Sequence, residues 1–296
     1  MKKRSVIILQ KLVLYIILIG LGFVYLYPVL YMISLSFMGQ MDLINPSIQW
    51  IPAHFTLDNF SRALQVLRFW ETLGTTVFIV AVSALLQTFS ASLTGYALAR
   101  FNFPFKRLWM ILVLATFIIP VNVSLVPRFI LFNNYGIINT AWALFLPAFF
   151  GQGLKSAIFI LIFYQFFNSY PKALDEAAQI DGAGRLKVFY RIAIPMCVPA
   201  IVVSLLFSVV WNWNETSQTA IFVGQSIQTL PMRLQSFVTE FTNMFPADQQ
   251  GHGVNHINES IRMAGTLLTI LPLVILYAFL QKRFVESVES TGITGE

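Results

Sequence analysis

A few polar and charged side chains in this chain stand inside runs otherwise too apolar to hold them. Gln152 and Lys155 interrupt one run, Asn122 lies in another, and the cluster Trp211-Asn-Trp-Asn-Glu-Thr216 sits in a third. A charge in hydrocarbon is costly, so such groups face protein or water rather than lipid. Amide and carboxylate groups hydrogen-bond hydroxyls, and indole faces pack against C–H edges. Asn122, Gln152, Lys155, Trp211, Asn212, Trp213, Asn214 and Glu215 are therefore candidates to line a path for a hydroxyl-bearing solute. The competing reading pairs Lys155 with Glu215 or with a neighbouring subunit, or lets their stems snorkel to an interface.

Other chemistries find little support. There is no G-x4-G-K-[ST] phosphate loop, no His-Glu-x-x-His and no Gly-x-Ser-x-Gly. The three histidines are His54, His252 and His256. The last two are four apart, but glycine neighbours and the lack of a nearby third ligand make them a solvated loop rather than a metal pair. Cys197 is the only cysteine, which excludes an intrachain disulfide and a cysteine metal cluster. No cofactor or metal site is expected on this chain.

The elements that must position these groups are membrane spans. The chain is 57% hydrophobic and 11% charged, with mean hydropathy +0.71, outside the usual range of a soluble domain. Leu12 to Phe37 and Thr72 to Ala99 carry no charge. About twenty residues at 1.5 Å each cross a hydrocarbon core of roughly 30 Å. Six spans are expected, at about 12–37, 72–99, 108–130, 142–167, 198–223 and 263–281. Residues 1–11 form an N-terminal segment, 12–283 the membrane domain and 284–296 a tail. The first span follows Lys2-Lys-Arg4 but is too long for a cleaved signal peptide.

With both termini inside, the inner pieces 1–11, 100–107, 170–191 and the stretch after Leu280 hold four, three, four and two basic residues, thirteen of the nineteen. This bias places both termini in the cytosol. It also accounts for the net charge of +6, so nucleic acid is not an expected partner.

The inner loop 170–195 has its own design. Pro171 suits a first helical turn, and Asp175 and Glu176 complement the positive end of a helix dipole. Leu174, Ala177 and Ala178 share a face on which the alanines allow close approach. Gly182 is placed to end that helix in the left-handed conformation. Beyond Gly184, Leu186, Phe189, Tyr190 and Ala193 repeat at helical spacing, and Pro195 and Pro199 bend the chain into the next span.

The pattern E-A-A-x3-G-x9-I-x-[LI]-P, read from Glu176 to Pro195, resembles the cytosolic loop of the membrane subunits of bacterial ABC importers. Further matches run over nearly the whole chain. Tyr27-Pro28, Asn139-Thr-Ala-Trp142, Phe166-Phe-Asn-Ser-Tyr-Pro171, Ile180-Asp-Gly-Ala183, Trp211-Asn212, Thr229-Leu-Pro-Met232, Leu271-Pro272 and Gln281-Lys-Arg-Phe284 resemble the carbohydrate branch. The likeness is to the second permease subunit of maltose-type importers.

The resemblance implies an all-α membrane protein of the type I ABC importer permease fold, with six transmembrane helices and a cytosolic coupling helix. Its expected seat is the bacterial inner membrane. The implied partners are a second related permease, two ATPase subunits that use ATP and magnesium, an extracytoplasmic solute-binding protein, a carbohydrate substrate and the lipid bilayer. The chain itself is implied to catalyse nothing. Leu174, Glu176, Ala177, Ala178, Asp181, Gly182, Ile192 and Pro195 are the implied ATPase-coupling residues.

Two departures stand out. Thr294 occupies a place where the family's tail carries lysine, and the polar stretch 240–259 is longer than usual and reads as a partner-specific insertion. The alternatives are an importer of a non-sugar solute such as a peptide or phosphate, or a secondary transporter driven by an ion gradient. The latter class commonly shows broken helices or repeats and needs no ATPase-docking loop.

Overall fold

The computed structural model describes residues 2–224, 226–246 and 257–292, and within them every regular element is helical apart from one isolated bridge between Met38 and Phe55. In chain order the helices are α1 (Lys2–Ser36), α2 (Gln40–Ile44), α3 (Asp58–Leu67), α4 (Phe69–Arg100), α5 (Lys106–Ile118), α6 (Val121–Asn134), α7 (Trp142–Phe149) and α8 (Ser156–Ser169). There follow α9 (Lys172–Ile180), α10 (Arg185–Val188), a π-helical turn (Phe189–Ala193), α11 (Ile194–Met196), α12 (Val198–Asn214), α13 (Ser217–Val223), α14 (Leu230–Gln235), α15 (Phe237–Met244) and α16 (Glu259–Gly292). The His252/His256 pair, the centre of the 240–259 stretch and Thr294 lie outside the described residues.

Among the described residues three helices are long and apolar enough to cross a bilayer unbroken: Gln10–Ser36 within α1, all of α4, and Glu259–Lys282 within α16. The stretch expected as a span at 108–130 is a bent pair, with α5 and α6 meeting at 101°. Pro120 has no N–H to offer and disfavours helical backbone before it, and Ile119 is extended, with ψ 121. Pro127 is carried inside α6. Likewise Arg185–Met196 meets α12 at 78°. Counting each bent pair once gives up to five candidate spans by length and composition among the described residues. The stretch expected at 142–167 is divided into α7 and α8, of 8 and 14 residues, around a non-helical bend.

The chain separates into two compact units, Met1–Phe69 with Leu234–Leu271, and Trp70–Arg233 with Pro272–Glu296. In the first, nearly every side chain of α1 from Leu12 to Tyr31 is exposed, as an apolar helix in lipid would be. Beyond α1 the chain is pinned by polar contacts. The Asn59 amide donates to the carbonyls of Ser36 (3.0 Å) and Met38 (2.9 Å). The buried Asp42 carboxylate accepts from the His54 N–H (2.9 Å) and contacts its ring nitrogen (3.1 Å). The second unit has a core of Ala91, Tyr96, Phe159, Phe163, Phe167, Phe189 and Cys197 with their neighbours, joining α4, α8 and the 189–197 segment. Gly95 makes this approach possible. A Cβ there would stand 2.6 Å from Phe163 Cβ and 2.9 Å from the Tyr164 nitrogen.

Candidate functional site

The 170–196 segment is built from short helices with sharp corners. Pro171 is extended (φ −61, ψ 129) and opens α9. At the far end the Asp181 N–H bonds the Ala177 carbonyl, Gly182 that of Gln179, and Ala183 that of Ala178. Gly182 has φ +80, yet a Cβ added to it would meet nothing within 4 Å. Glycine is therefore needed for its left-handed backbone and not for space. Gly184 then precedes α10, and the wider turn Phe189–Ala193 leads to the corner at Cys197.

Of the coupling residues read from the pattern, Leu174, Glu176, Ala177, Asp181, Gly182 and Pro195 are exposed, while Ala178 and Ile192 are half-buried. Ile180 is 86% exposed and Leu186 71%, a large apolar display for a loop. In the following helix the buried set is Val188, Phe189, Ala193 and Cys197, with Leu186 and Tyr190 facing outward. The extra residue of the π turn resets the register, so the simple i, i+3, i+4, i+7 face does not run through it.

Only one residue of α9 is buried, Asp175, which the pattern did not single out. Its Oδ1 accepts from the Tyr170 hydroxyl at 2.7 Å, and its Oδ2 lies 3.3 Å from Arg100 Nε. That N–H is not aligned for a hydrogen bond, so the second contact is Coulombic. Arg100 Nη2 donates to the Tyr170 carbonyl (2.8 Å), and the guanidinium covers the Tyr170 ring at 3.7 Å. Burial, and then the bond to Asp175, raise the Tyr170 phenol well above its ordinary range. It stays a neutral donor at any physiological pH.

Within the membrane the structure brings some candidates together and separates others. Lys155 sits in the bend between α7 and α8 at φ +55. Its ammonium lies 4.4 Å from the Trp211 ring centroid, and Trp211 packs against Phe159 (5.2 Å) and Phe207 (5.5 Å). Gln152 is exposed in the same bend. Glu215 does not pair with Lys155; its Oε1 accepts from the Gln218 N–H at 2.8 Å. Gln218 in turn accepts from Arg128 at 3.3 Å. Asn122 is exposed at the start of α6, Trp213 is buried, and exposed Asn214 bonds back to the Val210 carbonyl.

Asn212 belongs to a different group, centred on Gln87 of α4. The Gln87 amide donates to the Leu154 carbonyl (2.5 Å) and Ser156 Oγ (2.9 Å). Its oxygen accepts from Ser208 (2.6 Å) and Asn212 (3.3 Å). One turn on, Ser90 donates to the Ala148 carbonyl at 2.8 Å. The Gln87 bond satisfies the Leu154 carbonyl where the helix breaks, which hydrocarbon could not do, and Ser90 adds a second bond to the Ala148 carbonyl beside that from the Gly151 N–H. Gln87 is 1% exposed. Its only signal in the sequence is an amide within the uncharged run Thr72 to Ala99. Among the described residues no group of three or more His, Cys, Asp or Glu could hold a metal ion.

Comparison with known proteins gives this geometry its context. The chain is 29% identical over 279 residues to an arabinooligosaccharide transport system permease of Halalkalibacterium halodurans, covering 93% of each. It is 31% identical over 253 residues to a melibiose/raffinose/stachyose import permease of Bacillus subtilis, covering 84% of this chain and 85% of that one. Its fold matches a chain of a bacterial ABC transporter involved in importing the acidic polysaccharide alginate, with TM-score 0.76 and 20% identity over 93% of this chain and 96% of the other. Residues 91–290 match the family described as the binding-protein-dependent transport system inner membrane component. That stretch contains α9, its corner at Gly182, the Gln87-bonded bend and Lys155 over Trp211, and the chain belongs to this family as a permease subunit of an ABC importer, a transport component and not an enzyme.

Proposed function

We propose that this permease imports a carbohydrate, in a complex with a second permease, two ATPases and an extracytoplasmic binding protein. Both termini face the cytosol, and α9 receives the ATPase movement. The sugar assignment is supported by the substrates for which its relatives are named, arabinooligosaccharides and the melibiose/raffinose/stachyose group. Lys155, Gln152 and Trp211 suit the path: a cation lies over an indole face, and an exposed amide stands in the same bend as the cation. Asn122, Asn214 and Glu215 are further candidates, whereas Asn212 is engaged with Gln87 and Ser208 and Trp213 is buried. The chain binds no cofactor; ATP and magnesium are used by the ATPases.

The single observation that carries the coupling role is the face of α9. Leu174, Glu176, Ala177 and Ile180 are exposed together, while Asp175 alone turns inward. An apolar and acidic display held by a buried anchor is a surface built for another protein. The test is reconstitution with the co-encoded subunits in liposomes, followed by uptake of labelled arabinotriose and raffinose, with phosphate and a dipeptide as non-sugar controls. ATP-dependent uptake of a sugar supports the reading; uptake of a control solute only, or uptake driven by an ion gradient without ATP, refutes it. Glu176→Ala and Gly182→Pro should loosen the ATPases while leaving the spans folded. Normal ATPase pull-down and normal transport by Gly182→Pro would remove α9 from its role.

A further inference from the structure

We infer that Arg100 is a positioning residue that makes α9 move as one body with α4, so that force received at α9 reaches the middle of the membrane along α4. The inference rests on the coupling role proposed above and adds the route. The covalent attachments of α9 are soft: an extended Tyr170-Pro171 on one side, and a corner containing Gly182 and Gly184 on the other. Chain connectivity alone would let α9 swivel.

The tie that prevents this is made by side chains. Asp175 is the one buried residue of α9, and its carboxylate meets the Tyr170 hydroxyl at 2.7 Å and Arg100 Nε at 3.3 Å. The Arg100 and Asp175 side chains are only 4% and 9% exposed. Arg100 also holds the Tyr170 carbonyl and covers its ring. One planar guanidinium thus sets its charge beside the carboxylate, bonds a carbonyl and covers an aromatic face, a combination that a lysine ammonium cannot reproduce. It does so from the last turn of α4, where a cation complements the helix dipole.

From there α4 is unbroken. Gly95 lets it lie directly on α8, and Gln87, thirteen residues or about 20 Å from Arg100, bonds the 150–155 bend, α8 and α12. A displacement of α9 is therefore delivered at the depth of Lys155 and Trp211 without crossing a flexible joint.

The experiment uses the full complex in liposomes, with uptake of whichever of arabinotriose or raffinose the wild type transports, and ATP hydrolysis measured in the same vesicles. In Arg100→Gln and Asp175→Asn the ATPases should co-purify at ordinary stoichiometry and hydrolysis should stay within about twofold. Sugar moved per ATP should fall at least tenfold. Arg100→Lys should lose part of the ratio, and Asp175→Glu should keep most of it. An unchanged ratio in Arg100→Gln overturns the inference. So does parallel loss of hydrolysis, uptake and bound ATPase, which would mark Arg100 as merely structural. The two readings fail separately: a wild-type complex that moves neither sugar overturns the substrate assignment, whereas a normal yield per ATP in Arg100→Gln overturns the pin.

Discussion

Replacing Gln87 by leucine tests the mid-membrane network with little change in volume. The amide makes four hydrogen bonds, to the Leu154 carbonyl, Ser156, Ser208 and Asn212. Side-chain hydrogen bonds between membrane helices average about 0.6 kcal/mol each, because the unfolded chain also finds partners in the bilayer. Four of them sum to roughly 2.4 kcal/mol at that average. The Leu154 carbonyl adds to this, since it lies at a helix break and loses its bond from Gln87; an unpaired buried acceptor costs about 1–3 kcal/mol. Gln87→Leu should therefore lower stability by about 3.5–5.5 kcal/mol. Ser208→Ala, which removes one of the four bonds and one contact with Asn212, should cost about 1 kcal/mol. The assay is reversible denaturation of the purified permease complex in mixed micelles, run as a double-mutant cycle. The pair should couple, so that the double variant is less damaged than the sum of the singles. A Gln87→Leu protein within about 0.5 kcal/mol of wild type, or a cycle showing strict additivity, would refute the network.

Four other outcomes follow from single positions. Gly95→Ala places a Cβ against Phe163 Cβ and two backbone atoms, none of which can rotate aside, so it should cost about 1–3 kcal/mol despite alanine's helix preference. Gly74→Ala, with nothing within 4 Å, should be neutral or stabilising by up to about 1 kcal/mol; thermal unfolding of the two variants should show opposite signs. Lys155→Gly relieves a left-handed backbone that Lys155→Ala retains, so the glycine variant should be the more stable by about 1 kcal/mol, while both lose transport if the cation lines the path. The His54 N–H, and then its ring, hold the Asp42 carboxyl below its ordinary range. A depressed carboxylate contributes stability above its unfolded value of about 4 and loses it as pH falls further. Asp42→Asn should thus make the 40–55 loop more protease-sensitive than wild type at pH 6, with the two converging once the pH has fallen below the lowered carboxyl value.

The sequence made some of this legible and hid the rest for physical reasons. The unbroken helices α1, α4 and α16 follow directly from long apolar runs, and the Gly182 corner follows from a glycine after a helix-forming run. The divided span at 142–167 was hidden because hydropathy averages over a window and does not register the left-handed turns at Gly151 and Lys155. Gln87 was invisible because its partners lie 67 to 125 residues away in the chain. Asp175 and Glu176 are adjacent acids in the same helix, and composition alone does not say which one turns inward. The bend at Ile119–Pro120 was foreshadowed by the proline, but its angle of 101° comes from packing that no local rule contains.

The bonds from Gln87 and Ser90 to the carbonyls of Leu154 and Ala148 also constrain biogenesis. A broken segment released alone from the translocation channel would present bare peptide groups to lipid. The ribosome makes α4 first, so its amide and hydroxyl are already waiting when the interrupted segment emerges. Nascent chains arrested before and after residue 169 should show α4 becoming protected only in the longer product, making α4 the internal chaperone of its own later neighbour.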